Sequence, residues 1–159
     1  DARGAAARAR RRSPSVPPTG RSNRRYTAGR LTAALSASTR HGQPVAVLMM
    51  DVDHFKAVND THGHEHGDAV LVDVAKLLQH AARVEDIVGR WGGEEFMVVA
   101  PHCNAEQASA LAERLRTAVA DNTAATVSVG GASTHGPGTG MGAAAGANLE
   151  RKGKRLNAR

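Results

Sequence analysis

Hydrophobic positions in the first third of the chain predict one helix followed by one strand. Apolar residues four apart within residues 26–40 are typical of a helix, which Gly42 and Pro44 end. A continuous apolar run at residues 45–50 follows and stops at Asp51. A short run of this kind predicts a strand that is buried on both faces.

Two further helices are predicted by apolar residues at helical spacing. The first follows a polar stretch rich in glycine and histidine, residues 59–67, and covers residues 70–81. The second begins at Asn104, because Gln107 three residues later completes the pattern of a capping box. Its predicted apolar face consists of Leu111, Leu115 and Val119.

Strands in the second half are predicted by apolar runs between turn residues. Residues 87–91 and 94–99 flank Gly92 and Gly93, which predicts a β-hairpin with a tight glycine turn. Alternation at residues 126–129 predicts another strand. The order is helix, strand, helix, hairpin, helix, strand, which favours a sheet covered by helices.

Charge divides the chain into an acidic body and two basic ends. The 159 residues carry a net charge of +6, but residues 31–130 hold seven basic and thirteen acidic residues, a net charge of −6. Residues 1–22 are mostly Ala, Arg, Ser and Pro, so we predict a basic disordered linker or tail. Residues 131–159 are rich in Gly and Ala and end in a basic cluster, so we expect little of this tail in a core. The remainder has the size of one domain.

Composition narrows the class of protein. Aromatic residues make up only 3% of the chain, which disfavours a single-strand nucleic-acid binder that stacks bases. One cysteine, Cys103, excludes an internal disulfide, and we interpret it as incidental. No apolar run approaches the roughly 18 to 20 residues of a membrane span, so we predict a cytoplasmic protein. The chain begins with Asp1 rather than Met, from which we expect it to be part of a longer protein.

Four acidic residues interrupt apolar strands and are the first candidates for chemistry. Asp51 and Asp53 end the first predicted strand, and Glu94 and Glu95 follow the glycine turn. Carboxylates brought together in this way need a cation, and hard oxygen ligands select Mg²⁺. The pattern indicates metal-assisted phosphoryl or nucleotidyl transfer. An alternative of equal weight is that Asp51 and Asp53 begin a solvated loop and cap the next segment.

Several blocks of the sequence follow one another with the spacing of a known family. They are residues 51–60, Gly63-His64, Gly67-Asp68 and residues 90–96, with traces of an opening motif at Thr19-Gly20 and residues 23–25. These blocks resemble the GGDEF family, the diguanylate cyclases, with the signature in the form GGEEF. The resemblance covers about residues 19–130 and implies a GGDEF domain at residues 23–130. The implied fold is α+β, nucleotidyl-cyclase or palm-like with a ferredoxin-like core, in which helices cover a mostly antiparallel sheet of about five strands.

The resemblance implies that the protein condenses two GTP molecules into cyclic di-GMP and releases two pyrophosphates. Each protomer would hold one GTP, so catalysis would need a second protomer facing the first. By position, Asp51, the backbone carbonyl of Val52 and Glu94 would bind Mg²⁺ or Mn²⁺. Glu95 would accept the proton of the attacking 3′-hydroxyl, and Lys56 would stabilise phosphate charge.

Guanine recognition is assigned by the same resemblance to Asn59 and Asp68, with His64 close to the substrate. Gly92 and Gly93 would let the nucleotide lie against bare backbone. From the residues alone, Asn59 is an ordinary turn former and Asp68 an ordinary helix cap. The resemblance favours the binding roles.

Histidines at four nearby positions raise the question of zinc: His54, His62, His64 and His66. The family pattern accounts for His54 and His64, and no cysteine lies nearby to complete a zinc site. We therefore do not favour zinc, and we expect His62 and His66 to lie in a solvated loop.

An inhibitory site for cyclic di-GMP is implied by Arg83 and Asp86, which match the family's RxxD pattern, and by Arg114 on the third predicted helix. Arginine binds phosphate and stacks on guanine, and a carboxylate accepts from a guanine edge. The alternative is a surface ion pair between Arg83 and Asp86.

Beyond residue 130 the chain departs from the family. The family's closing helix supplies a Lys and an Arg to the terminal phosphates of GTP, and the basic cluster at residues 151–155 lacks its spacing. Two other functions therefore stay open. One is a non-catalytic cyclic di-GMP effector that uses the inhibitory site, and the other is a nucleic-acid module that uses the basic tails. We favour the enzyme, without nucleic-acid or membrane partners, as the output domain of a bacterial signalling protein.

Overall fold

A computed structural model describes residues 23–134 of the chain, where four helices and four strands are found. The helices are α1 (Arg24–His41), α2 (Phe55–His62), α3 (His64–Ala81) and α4 (Ala105–Asn122). The strands are β1 (Val45–Val52), β2 (Ile87–Arg90), β3 (Glu95–Pro101) and β4 (Val127–Ser133). The predictions for residues 1–22 and for residues 135–159 lie outside the described part.

The four strands form one antiparallel sheet in the order β2-β3-β1-β4. Strand β1 is central, and its register places Asp51 opposite Glu95 of β3 and opposite Ser128 of β4. The α+β fold class is confirmed, with four strands in the described residues where we expected about five. The predicted hairpin is confirmed too, since β2 pairs with β3 across the Gly92-Gly93 turn.

Helices cover both faces of the sheet, because alternate residues of β1 enter two separate hydrophobic clusters. One cluster joins β1 to α3 and α4 through Ala46, Leu48, Met50 and Val52. The other lies under α1 and contains Val45 and Val47. An apolar run without polar alternation is what a strand needs when both its faces are buried. The prediction for residues 45–50 is therefore confirmed.

Helix ends follow the capping rules on which they were predicted. Gly42 closes α1 with a φ of 70°, a left-handed conformation that favours glycine, and its N–H donates to the Ser38 carbonyl at 2.8 Å. The capping box of α4 is complete, since the Gln107 N–H donates to Asn104 Oδ1 at 2.8 Å. In return, the Asn104 N–H donates to Gln107 Oε1 at 2.9 Å.

The polar stretch at residues 59–67 is helical except at Gly63, so the prediction that His62 and His66 lie in a loop was wrong. Residues 55–62 form α2, and α3 begins at His64, directly after Gly63 with its φ of +87°. His62 and His66 are exposed but lie on these helices, and their ring centroids are 4.8 Å apart. A helix anchored by one buried apolar residue, Phe55, has too weak a periodicity to be read from the sequence.

Strand β4 continues to Ser133, four residues beyond the end of the strand predicted at residues 126–129. Gly131 packs so closely on β1 that a side chain there would collide with Leu48. Beyond the strand, Thr134 donates its N–H to the Val45 carbonyl at 2.9 Å. Within residues 23–134, no helix is long and apolar enough to cross a membrane.

Candidate active site

The pairing of β1 with β3 brings Asp51, Glu94 and Glu95 to one end of the sheet, and Asp53 follows directly after β1. We term these four residues the carboxylate edge. Asp51 faces Glu95 across the β1–β3 pair. Glu94 precedes β3, and its carbonyl accepts from the Val52 N–H at 3.1 Å. Asp51 and Glu95, which are 44 positions apart in the sequence, therefore meet because β1 and β3 are antiparallel neighbours.

Electrostatic repulsion at this edge acts on Asp51. The pKa of Asp51 is raised, first by partial burial and then by the negative charges of Glu94, Glu95 and Asp53. Every charge that shifts this pKa is negative, so ionised Asp51 lacks a compensating cation among residues 23–134. A cation bound here would remove the repulsion.

Asp53 has a different role from the one that its spacing suggested. Strand β1 ends at Val52, and the Asp53 carboxylate turns to β4, where it accepts from Thr126 Oγ1 at 2.7 Å and from Ser128 Oγ. The Asp53 N–H also donates to the Thr126 carbonyl at 2.9 Å. Asp53 therefore ties β1 to β4, and it is neither the start of a solvated loop nor a free ligand.

The three predicted metal ligands, Asp51, the Val52 carbonyl and Glu94, lie together at this edge and could offer oxygen atoms to a metal ion. No group of three or more His, Cys, Asp or Glu side chains in residues 23–134 is arranged to hold a metal by itself. A set of two carboxylates and one carbonyl suits Mg²⁺, which keeps several waters and uses substrate phosphates rather than a cage of side chains. The raised pKa of Asp51 is the observation that favours a cation at this point.

Hydrogen bonds within the hairpin hold the glycine turn before β3, and the backbone at Gly93 faces open space. Trp91 donates its N–H to the Glu95 carbonyl at 2.8 Å. The Arg90 guanidinium donates to the Gly93 carbonyl at 2.7 Å and to the Gly92 carbonyl at 3.2 Å. A side chain at Gly93 would meet nothing within 4 Å, so there is space for a ligand against this backbone.

The start of α1 clamps the strand that leads into this turn, a contact that sequence reasoning missed. Asn23 exchanges two hydrogen bonds with Arg90: its Oδ1 accepts from the Arg90 N–H at 2.9 Å, and its N–H donates to the Arg90 carbonyl at 3.2 Å. The Arg24 guanidinium lies 4.5 Å from the Trp91 ring centre. Buried Thr27 packs against Gly89, where a Cβ would collide with it. Residues 23–25 carried part of the family resemblance, and that was the available signal.

Candidate base-binding residues lie on α2 and α3. Lys56 is exposed in the first turn of α2, and His64 and Asp68 are exposed one turn apart on α3. Asn59 is half-buried inside α2, so it is not a turn former, and Asp68 lies within α3 rather than capping it. Asn59 Oδ1 is buried without a hydrogen-bond partner beside Gly67.

Arg83 and Asp86 form an ion pair at the opposite end of the sheet. Arg83 donates from Nη2 to Asp86 Oδ1 at 2.8 Å and from Nε to Oδ2 at 3.2 Å, and the Arg83 N–H reaches Oδ2 at 2.8 Å. Nη2 also donates to the Pro101 carbonyl at 2.9 Å. The Asp86 side chain is 0% exposed and the Arg83 side chain is 27% exposed, so the acid is covered while the arginine still reaches solvent. Arg114 is exposed on α4, and no contact within the described residues joins it to the pair.

Similarity to known proteins covers most of the chain. The family model for the diguanylate cyclase GGDEF domain matches residues 17–156. The response regulator PleD of Caulobacter vibrioides is 44% identical over 98 residues, which are 62% of this chain and 22% of PleD. The chain thus spans about a fifth of that relative.

Solved structures with the same fold include two with high coverage. The active GGEEF domain of a diguanylate cyclase from Vibrio cholerae has a TM-score of 0.74 and 33% identity, over 87% of this chain and 93% of that one. The GGDEF domain of DgcB from Caulobacter crescentus, solved with c-di-GMP, has a TM-score of 0.70 and 30% identity, over 85% of this chain and 82% of that one.

Proposed function

Because the chain belongs to the GGDEF domain family, we propose that it is a diguanylate cyclase domain that converts two GTP molecules into cyclic di-GMP and two pyrophosphates. The observation that carries the proposal is the carboxylate edge. The β1–β3 register sets Asp51 against Glu95, and partial burial together with like charges raises the pKa of Asp51, with no compensating cation among the described residues. Such a site is completed by what binds to it.

The chemistry at each phosphate is a displacement by a ribose hydroxyl. Glu95 takes the proton of the 3′-hydroxyl, the new bond forms between O3′ and the α-phosphorus, and the bond from that phosphorus to pyrophosphate breaks. Glu95 is exposed at the first position of β3, where a substrate hydroxyl can reach it. Two such displacements, one from each GTP, close the ring.

In this proposal, groups near Glu95 neutralise the negative charge of the phosphates. Asp51, the Val52 carbonyl and Glu94 are the ligands that would hold Mg²⁺ or Mn²⁺, and the bound ion would supply charge neutralisation at the phosphates. Lys56, exposed at the start of α2, adds positive charge from the side of the helix. Gly92 and Gly93 leave backbone open to the nucleotide.

Guanine is selected on α2 and α3 in this proposal. Asp68 is exposed and accepts from the paired N–H donors of guanine, a pattern that adenine lacks. Asn59 binds the base from α2, and His64 lies on the same face of α3 as Asp68, one turn away. The two helices meet at Gly67, so these residues belong to one neighbourhood.

A second protomer is required by the reaction, since one site holds one GTP and each 3′-hydroxyl attacks the other nucleotide. We therefore propose a homodimer that forms at least during turnover.

The 36% identical chain of SiaD from Pseudomonas aeruginosa was solved with its activator SiaC, so in that protein a partner protein acts on the cyclase. A signalling role for this chain, as the cytoplasmic output domain of a larger protein, is part of the same proposal.

Product inhibition at Arg83, Asp86 and Arg114 is proposed with one structural condition. Arg83 and Asp86 are already bonded to each other, and Asp86 is fully covered. Cyclic di-GMP bound there would have to draw Arg83 away from Asp86 or from Glu85, whose carboxylate lies 3.3 Å from Arg83 Nη1, with Arg114 as the accessible cation. A domain that binds cyclic di-GMP at this site without making it is the second candidate function.

Turnover of GTP tests the proposal. The protein is incubated with GTP and Mg²⁺, and cyclic di-GMP is measured for the parent, for Glu95→Gln and for the control Glu106→Gln, an exposed acid at the start of α4. We expect product from the parent and the control, and at least a hundredfold loss for Glu95→Gln. Absence of product from a folded parent that binds cyclic di-GMP tightly would establish the effector instead.

A further inference from the structure

The crossing of α2 and α3 is unusually close at one point. Gly67 is buried in the first turns of α3, and a Cβ built on it would collide with Asn59 Oδ1 of α2 and lie 3.2 Å from Phe55 Cζ. The contact exists because position 67 carries no side chain. Glycine inside a helix is less stabilising than alanine, so the presence of glycine at position 67 requires a reason.

The same contact settles which end of the Asn59 amide is covered. Oδ1 is buried against the Gly67 backbone, and no residue in the described part of the chain donates a hydrogen bond to it. Turning the amide over would press its N–H groups against the Cα hydrogens of Gly67, whereas a carbonyl oxygen accepts a weak C–H contact there. The amide nitrogen Nδ2 makes no hydrogen bond within residues 23–134, and it is not among the buried atoms.

We propose that Gly67 is a positioning residue that locks the Asn59 amide with Nδ2 toward the nucleotide, so that Asn59 serves as a hydrogen-bond donor only. The neighbouring Asp68 then serves as the acceptor. One donor and one acceptor, on two helices joined through Gly67, match a base edge that presents an acceptor beside N–H donors, as guanine does. This inference rests on the proposed function and deepens it.

Substitution of Gly67 by alanine separates this role from a general structural one. Alanine is the better helix former, so in open space the exchange stabilises a helix. At position 67 the added methyl pushes on Asn59 and displaces the amide. Gly29 of α1 is the matched control, because a Cβ there meets nothing within 4 Å. Gly29→Ala should leave nucleotide binding unchanged.

The experiment is a double-mutant cycle read by two measurements. The parent, Gly67→Ala, Asn59→Ala and the double variant are titrated with the α,β-methylene analogue of GTP and Mg²⁺, and each is melted without ligand. We expect about tenfold weaker binding for Gly67→Ala and for Asn59→Ala, and no further loss in the double variant. Without ligand, the alanine at position 67 should lower the melting temperature beside Asn59 and raise it beside Ala at position 59.

Each result decides a different statement. If the parent binds and Gly67→Ala binds equally well, or if its loss adds fully to that of Asn59→Ala, Gly67 does not act through Asn59 and the inference is overturned. If Gly67→Ala does not fold, the nucleotide affinity of the double variant is compared with that of Asn59→Ala. Equal affinity of the two folded proteins supports the inference, and weaker binding by the double variant contradicts it. A folded parent that binds no guanine nucleotide contradicts the proposed function itself, which the other outcomes do not.

Discussion

The two ends of the central sheet hold similar groups in opposite circumstances. At one end, β1 finishes in the carboxylate edge, where Asp51 is surrounded by acidic neighbours that raise its pKa. At the other end, β3 finishes at Pro101, where Arg83 binds both that carbonyl and the fully covered Asp86. Within the part of the chain that the structure describes, the first end lacks a compensating cation, whereas the second has Arg83.

The difference separates stability from function. A buried carboxylate that has its own arginine stabilises the fold once it is formed, because losing either partner leaves a charge stranded. A cluster of carboxylates without a cation destabilises the fold, and it persists where a ligand completes it. We therefore expect substitutions at the two ends to move different measurements.

The largest expected effect is on catalysis at the carboxylate edge. Asp51→Asn removes a proposed metal ligand and should lower turnover about a thousandfold, equivalent to about 4 kcal/mol in the barrier. Because the pKa of Asp51 is raised in the folded protein, its ionised form disfavours folding, and neutral Asn removes that penalty. The melting temperature without ligand should stay the same or rise. A clear fall would show that Asp51 is structural.

The next effect is on stability at the opposite end. Asp86→Ala removes the covered acceptor of the Arg83 backbone N–H and guanidinium, which keeps only the Pro101 carbonyl and Glu85, and should lower the free energy of unfolding by about 3 kcal/mol, measured by denaturant titration. Asp86 is 0% exposed and accepts from both the side chain and the backbone of Arg83. If the loss is below about 1 kcal/mol, the pair does not hold this end of the sheet.

A smaller effect is expected where α1 meets the glycine turn. Asn23→Ala removes the acceptor of the Arg90 N–H and should cost about 1 kcal/mol, with turnover reduced several-fold because the turn is held less firmly. Asn122→Ala is the control, since it removes a bond at 2.7 Å to the Ala118 carbonyl at the exposed end of α4. Equal turnover in the two variants would show that the contact between Asn23 and Arg90 does not affect the active site.

The smallest effect provides the matched comparison for Asp86. Glu113 and Arg116 on α4 are three positions apart in the sequence, as Arg83 and Asp86 are, but the Glu113 side chain is 52% exposed. Glu113→Ala should change the free energy of unfolding by less than about 0.5 kcal/mol. A cost close to that of Asp86→Ala would mean that burial does not distinguish the two pairs.

Most of the secondary structure could be predicted from local pattern. The hairpin, the capping box at Asn104 and the strand at residues 45–50 depend on neighbours in sequence, and each is confirmed. Helix α2 was missed because only Phe55 is buried in it. The end of β4 was placed too early because its last residues are glycine, alanine and serine, which carry no strand signal.

The site was predictable in its residue types and less so in its connections. Spacing and resemblance selected the carboxylates, but only the register of β1 and β4 shows that Asp53 belongs to Thr126 and Ser128. The bond from Asn23 to Arg90 joins residues 67 apart, and the fit of Gly67 on Asn59 depends on how two helices cross. Contacts of this kind depend on tertiary packing, which local pattern does not encode.

Thermal melting with ligand tests most directly whether the carboxylate edge is completed by a metal nucleotide. The parent and Asp51→Asn are melted with the α,β-methylene analogue of GTP, each with and without Mg²⁺. We predict that analogue and Mg²⁺ together raise the melting temperature of the parent by several degrees, and that Asp51→Asn shows little or no rise. Equal shifts in both proteins, or no shift in the folded parent, would contradict the account.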